Sequence, residues 1–141
     1  MADIVRLEEN GVAKYIETHV NAVAGLDDFI KKLKDYKVVF NGASLLNGSQ
    51  SFSWAAADLT DELVLILSQY DDTKGEAMDA MFTVETIPKA YLSLFGGKNY
   101  RLNLWDGRTK VIYPGLTSVS GHDVNGQGTN RTFVVRAILV K

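Results

Sequence analysis

No cysteine occurs in the 141 residues, which rules out disulfides, thiolate metal sites and any Cys/His catalytic pair. The same absence leaves the redox compartment open. Histidine is almost as scarce: His19 and His122 are the only two, and neither H-x-H nor H-x-x-x-H spacing occurs, so no metal centre and no metal cofactor is expected. Charge of one sign is also lacking. The net charge is −2, and residues 37–141 hold ten Lys/Arg against ten Asp/Glu. A balanced domain has no field to draw in nucleic acid or an anionic membrane, so neither is expected as a partner. Long apolar runs are missing too: the longest, Leu63 to Leu67, is far too short to span a bilayer, and MADIVRLEEN is too charged for a signal peptide. The expectation is a soluble protein made in the cytoplasm.

What is present is an ordinary globular composition, 46% hydrophobic and 23% charged, in a chain long enough to bury a core. Its texture divides it into residues 1–36 and 37–141. Residues 1–20 carry no strong periodicity and read as an extended arm or short hairpin. From Asn21 the apolar residues Val23, Leu26, Ile30 and Leu33 are spaced three, four, three, the a/d seam of a short helix over roughly 21–35. Asp27 and Asp28 near its start and Lys31, Lys32 and Lys34 near its end suit the helix dipole. So short a helix is marginal alone. Either its seam covers the chain's own β domain, or three copies pack around a shared axis.

From Lys37 onward the signals are antiparallel strands. Asn41-Gly42 reads as a turn after KVVF, and Asn47-Gly48 as a hairpin turn between two strands. ELVLILSQY is apolar on both faces and should be a central strand. AMFTVETI, YRLNLW, TKVIY, TSVSG and TFVVRAILV continue the series, about eight short strands with no second helix pattern. The fold class is mainly β, a jelly-roll-like antiparallel sandwich. Period-two alternation predicts Val39, Phe52, Leu63, Leu65, Leu67, Phe82, Val84, Leu102, Val111, Phe133, Val135 and Ile138 as inward-facing.

Few residues can carry chemistry. Ser120-Gly121-His122-Asp123 holds the residue types of a triad, but neighbours in a turn point different ways and no G-x-S-x-G elbow occurs, so no enzyme is expected. The acidic loop around Asp71, Asp72, Glu76 and Asp79 lacks the residue order of a calcium loop. Gly126-Gln127-Gly128 has no strand–helix unit around it and is no phosphate cradle. Surface recognition fits better. Trp105-Asp106-Gly107-Arg108 ends a strand, Tyr113 follows, and Asp123 and Asn125 lie in a glycine-rich connection before the last strand. A flat aromatic beside planar polar groups is what a sugar ring needs, so Trp105, Asp106, Arg108, Tyr113, Asp123 and Asn125 are the candidate carbohydrate-binding residues. Trp54 reads as core, and for Trp105 a core position stands open beside the surface one.

The segment from Tyr15 to Leu26 resembles one near the start of tail-fibre and baseplate proteins of bacteriophages that infect Gram-positive bacteria. Further on, Phe40-Asn41-Gly42-Ala43, Leu45 to Gln50, Val64 to Asp71, Ile87-Pro88-Lys89, Ser120 to Asp123 with Asn125, and Val134 to Ile138 resemble, in order, the C-terminal β head module of their receptor-binding proteins. The resemblance implies a homotrimeric spike, mounted in the virion by its N-terminal region, whose head recognises host cell-wall polysaccharide or teichoic acid. It supplies no catalytic residue. The chain departs from the pattern by lacking a long shoulder segment, which leaves a purely structural baseplate, collar or capsid-fibre role, bound to other virion proteins, as the alternative.

Overall fold

The computed structural model describes residues 35–141, so the expected helix and its Val23, Leu26, Ile30 and Leu33 seam lie outside the described residues. The architecture is mainly β, two antiparallel sheets face to face. Strands β1 (Lys37–Ser44), β2 (Ser51–Ser53), β3 (Glu62–Asp71), β4 (Glu76–Ala77) and β5 (Thr83–Pro88) precede a short helix, α1 (Lys89–Phe95). Strands β6 (Tyr100–Asn103), β7 (Thr109–Pro114), β8 (Ser118–Gly121) and β9 (Phe133–Val140) follow. The first sheet runs β1-β9-β3, with β5 paired to most of β3 and the short β4 to its last two residues; the second runs β2-β8-β7-β6. Among the described residues, the pairing of β1 with β9 and of β2 with β8 is jelly-roll-like. The β6–β7 hairpin departs from it by standing between β5 and β8 in sequence.

The core lies between the sheets. Leu63, Leu65 and Leu67 of β3 face Phe133, Val135, Ile138 and Val140 of β9 across the ladder, and Leu102, Ile112 and Val119 line the second sheet. All are buried, as expected for Leu63, Leu65, Leu67, Leu102, Phe133, Val135 and Ile138; Val39 and Phe52 are partly buried against the same cluster. A bulge at Arg136 resets the alternation of β9, which is how residues 135 and 138 can both point inward. Trp54 is core, its indole N–H donating to the Leu116 carbonyl at 2.8 Å.

Three expected core residues face the other way. Phe82 and Val84 are 53% and 61% exposed. The inner positions of β5 are Thr83, Glu85 and Ile87, and Glu85 is held there by the hydroxyl of Tyr100, which donates to it at 2.5 Å across the gap between the sheets. Val111 is also displaced: Lys110 and Ile112 take the inner face of β7. Alternation located both strands, but apolarity chose the wrong face because one outer face is apolar and one inner position is a lysine.

Two turn assignments also change. Asn41-Gly42 lies within β1, and Asn47-Gly48 joins no hairpin, since β1 belongs to the first sheet and β2 to the second. The turn does form, with Gln50 N–H donating to Asn47 O at 3.1 Å and the Asn47 side chain accepting from Ser49, but inside a crossover. The helix α1 was not anticipated; seven residues are too few to show a period. Tyr36–Lys141 makes one compact unit, and no helix among the described residues is long and apolar enough to cross a membrane.

Candidate functional site

The β6–β7 hairpin carries the most exposed aromatic among the candidates. Asp106 and Gly107 both take left-handed backbone, φ 59° and 72°, which is why Asp-Gly stands at this turn. The tight reversal leaves Trp105 half exposed, at 50%. The guanidinium carbon of Arg108 lies 5.7 Å from the Trp105 ring centroid, a cation–π contact that braces the indole. Asp106 accepts from Arg108 Nη1 at 2.9 Å, and Arg108 Nε is buried without a partner. Flat ring, carboxylate and guanidinium therefore sit within four residues on one hairpin tip.

Tyr113 is not part of that tip. It lies five residues beyond Arg108 along β7, about 17 Å at the usual rise per residue. Its ring stacks on His122 with centroids 6.0 Å apart, on the outer face of the second sheet. Asp123 is exposed, and its carboxylate lies so close to Gly48 that a Cβ there would meet Oδ1 at 2.1 Å. The six candidates thus divide between the hairpin tip, the sheet face and the connection after β8.

Asn125 is not a ligand residue. It is completely buried, and its amide brackets the backbone of β7: Oδ1 accepts from Val111 N at 2.7 Å, and Nδ2 donates to Val111 O at 2.7 Å and Leu46 O at 2.6 Å. It takes the place of a neighbouring strand's peptide group. Beside it is a residue that alternation could not flag. Lys110 is fully buried, and its ammonium donates to the carbonyls of Leu45, Asn125 and Asn130 at 3.1, 2.9 and 2.9 Å. Three N–H groups meet three carbonyls from two different connections, which pins both against the sheet. Burial, then the nearby positive Arg131, brings the Lys110 pKa down to about 7. Gly121 completes the junction, since a Cβ there would lie 1.9 Å from the Leu46 carbonyl oxygen.

The remaining chemistry-bearing residues have structural employment. His122 Nδ1 accepts from Val124 N–H at 3.0 Å, on the nitrogen a triad aspartate would have to hold. In the acidic loop, Asp71 caps its own turn through Thr73 and Lys74 N–H, Asp72 pairs with Arg131 at 2.7 Å and Asp79 with Arg136 at 2.9 Å.

The outer faces of the two sheets contrast. On the first, Thr86, Val64, Leu139 and Val38 align across the strands, followed by Val84, Ile66, Ala137 and Asn41. Val38 and Val84 are more than half exposed and Val64 is buried, and Arg136 is paired with Asp79 and lies over the Phe82 ring. On the second, Ser53 lies opposite Ser118, and Ser51 opposite Ser120 and then Tyr113. Beyond them come Val111 opposite Arg101, and Thr109 opposite Asn103. One face is apolar and the other polar.

No protein-family model, curated protein or solved structure matches the chain.

Proposed function

We propose that this chain is a non-catalytic recognition module, the host-attachment head of a phage tail or baseplate protein, which works as a homotrimer and binds cell-surface carbohydrate. The observation that carries this reading is the hairpin tip, where a half-exposed Trp105 is braced by Arg108 beside Asp106. A half-exposed indole offers a flat apolar platform to the C–H face of a sugar, and its neighbours offer planar donors and acceptors to the hydroxyls. A shallow site of that kind binds weakly alone, and three copies on one spike would supply the avidity. The sequence resemblance points to the same role. Retention on purified Gram-positive cell walls, lost when their polysaccharide is stripped, tests it; equal retention on stripped walls would refute the carbohydrate assignment.

One observation favours a second reading, a structural virion component that packs on other virion proteins. On the outer face of the first sheet the apolar Val38, Leu139, Val64 and Val84 lie on neighbouring strands, with Val38 and Val84 more than half exposed and Val64 buried. Contiguous apolar surface of that kind marks protein–protein contact. In the trimeric head the same face would lie between subunits, so the two readings differ in what covers it.

A further inference from the structure

Four aromatic rings stand exposed among the described residues: Tyr36, Phe82, Phe95 and Trp105. Three of them carry a cation of this chain, Lys141 at 4.8 Å from the Tyr36 centroid, Arg136 at 5.6 Å from Phe82 and Arg108 at 5.7 Å from Trp105. Phe95 carries none among the described residues. It belongs to a cluster between β5 and β6, the last strands of the two sheets. Tyr91 and Phe95 stand one turn apart on α1, with centroids 5.7 Å apart. Gly96 and Gly97 then reverse the chain; Gly97 takes φ 80°, and a Cβ on Gly96 would lie 2.4 Å from the Leu92 carbonyl oxygen. The reversal returns Tyr100 edge-on to Tyr91, with centroids 5.5 Å apart.

Glu85 joins these rings from an inner position of β5, where its Oε2 accepts from the Tyr100 hydroxyl at 2.5 Å. The carboxylate is half-buried, yet no Lys or Arg among the described residues pairs with it. A carboxylate withdrawn from water is ordinarily matched by a cation. Its second oxygen, Oε1, makes no hydrogen bond within the described residues and is not sealed from solvent. Burial first, then the Glu85 carboxylate, pushes the Tyr100 pKa up to about 12, so the phenol remains a donor that fixes one carboxylate oxygen and leaves the other open.

From this arrangement we infer a cation-binding site, formed by Glu85, Tyr91, Phe95 and Tyr100, that takes a primary alkylammonium group. The ammonium donates to Glu85 Oε1 and supplies the counter-charge that the carboxylate lacks. The methylenes beside the nitrogen, which share its positive charge, pack on the aromatic rings. A neutral alcohol of the same length gains only the apolar part of this contact. The site lies apart from the Trp105 tip and does not depend on the carbohydrate-binding reading. A free amine and a lysine side chain of a partner protein offer the same chemistry, and the experiment separates them.

The test is titration of the full-length protein with n-butylammonium, n-butanol and Nα-acetyl-lysine methylamide, followed by the backbone amide signals of an NMR spectrum. Butylammonium should shift the amides of Glu85, Tyr91, Phe95 and Tyr100 saturably, with a dissociation constant on the order of millimolar, and butanol should not. Tighter binding of the lysine derivative assigns the site to a protein side chain, and equal or weaker binding to a free amine. Glu85→Gln keeps an acceptor for the Tyr100 hydroxyl and should weaken binding about tenfold, the loss of one charge-assisted contact. Phe95→Leu, at an exposed position, should weaken it about threefold with an unchanged circular dichroism spectrum. Thr86→Gln, on the opposite face of β5, should bind as wild type. Equal shifts from butanol, or no saturable shift from either ammonium probe, overturn the site. So do shifts spread over exposed carboxylates such as Asp61 and Asp123 with no preference for these four residues. Wild-type binding by folded Glu85→Gln or by Phe95→Leu overturns it as well.

Discussion

Lys110 and Asn125 hold each other in place across the second sheet: the ammonium donates to the Asn125 carbonyl at 2.9 Å, while the Asn125 side chain clasps both backbone groups of Val111, the next residue along β7. Through this pair the connection between β8 and β9 is fixed to the strand that carries Tyr113. The sheet face that carries Tyr113 is therefore positioned by buried polar contacts as well as by the apolar core, and the two can be perturbed separately.

The buried lysine gives stability a distinctive pH dependence. In the folded chain the Lys110 pKa is brought down to about 7, whereas an unfolded chain keeps that proton up to about pH 10. Between those limits the unfolded state binds more protons, so stability must rise with pH. The melting temperature should climb from pH 7 to pH 9, and Lys110→Met should flatten that part of the profile. A wild-type profile flat over this range would contradict the account.

Truncating Asn125 should cost stability without touching recognition. Asn125→Ala leaves the Val111 N–H and the Leu46 carbonyl buried without partners, at about 1–3 kcal/mol for each orphaned group. Chemical denaturation measures the loss, and cell-wall binding below the transition should equal wild type. A binding defect in the folded variant would return Asn125 to the ligand set.

Strand phase is tested by a matched pair. Phe133→Ala empties a fully buried site and should cost about 3–5 kcal/mol. Val84→Thr changes an exposed outer position and should stay within about 0.5 kcal/mol. Similar losses from the two would show that β5 or β9 is in the wrong phase.

The reasons one strand was legible and another was not are physical. In β9 the phase was clear because Phe133, Val135 and Ile138 are the residues a core selects, even across the bulge at Arg136. In β5 the same rule failed because Phe82 and Val84 lie on an outer face that is itself apolar, while Glu85 turns inward to meet Tyr100. Lys110 defeated it again, since a lysine whose three donors all find carbonyls can occupy a core position. At the candidate site, Asp106-Gly107 was legible as a turn at a strand end because its turn chemistry is local, whereas the half exposure of Trp105 was not. The role of Asn125 was invisible, because its partners Leu46 and Val111 are 79 and 14 residues away in sequence. The opposed serine pairs on the second sheet were missed for a similar reason: they appear only when β2 and β8 are laid side by side.

The apolar face of the first sheet bears on assembly. Replacing Val38 and Val84 with lysine puts two charges on exposed positions, where a folded monomer tolerates them. Light scattering at micromolar concentration should find an oligomer in the wild type and a smaller species in the double variant, with circular dichroism unchanged. An unchanged mass would remove this face from any contact between copies.

The central claim is that Trp105 at the hairpin tip contacts carbohydrate and supports nothing else. Attachment of the Trp105→Ala variant to purified Gram-positive cell walls, measured beside its thermal melt, tests this most directly. The account predicts that attachment is lost while the melting temperature stays within a degree or two of wild type, as expected for a half-exposed side chain. Full attachment in the variant, or a melt that collapses with it, would contradict the account.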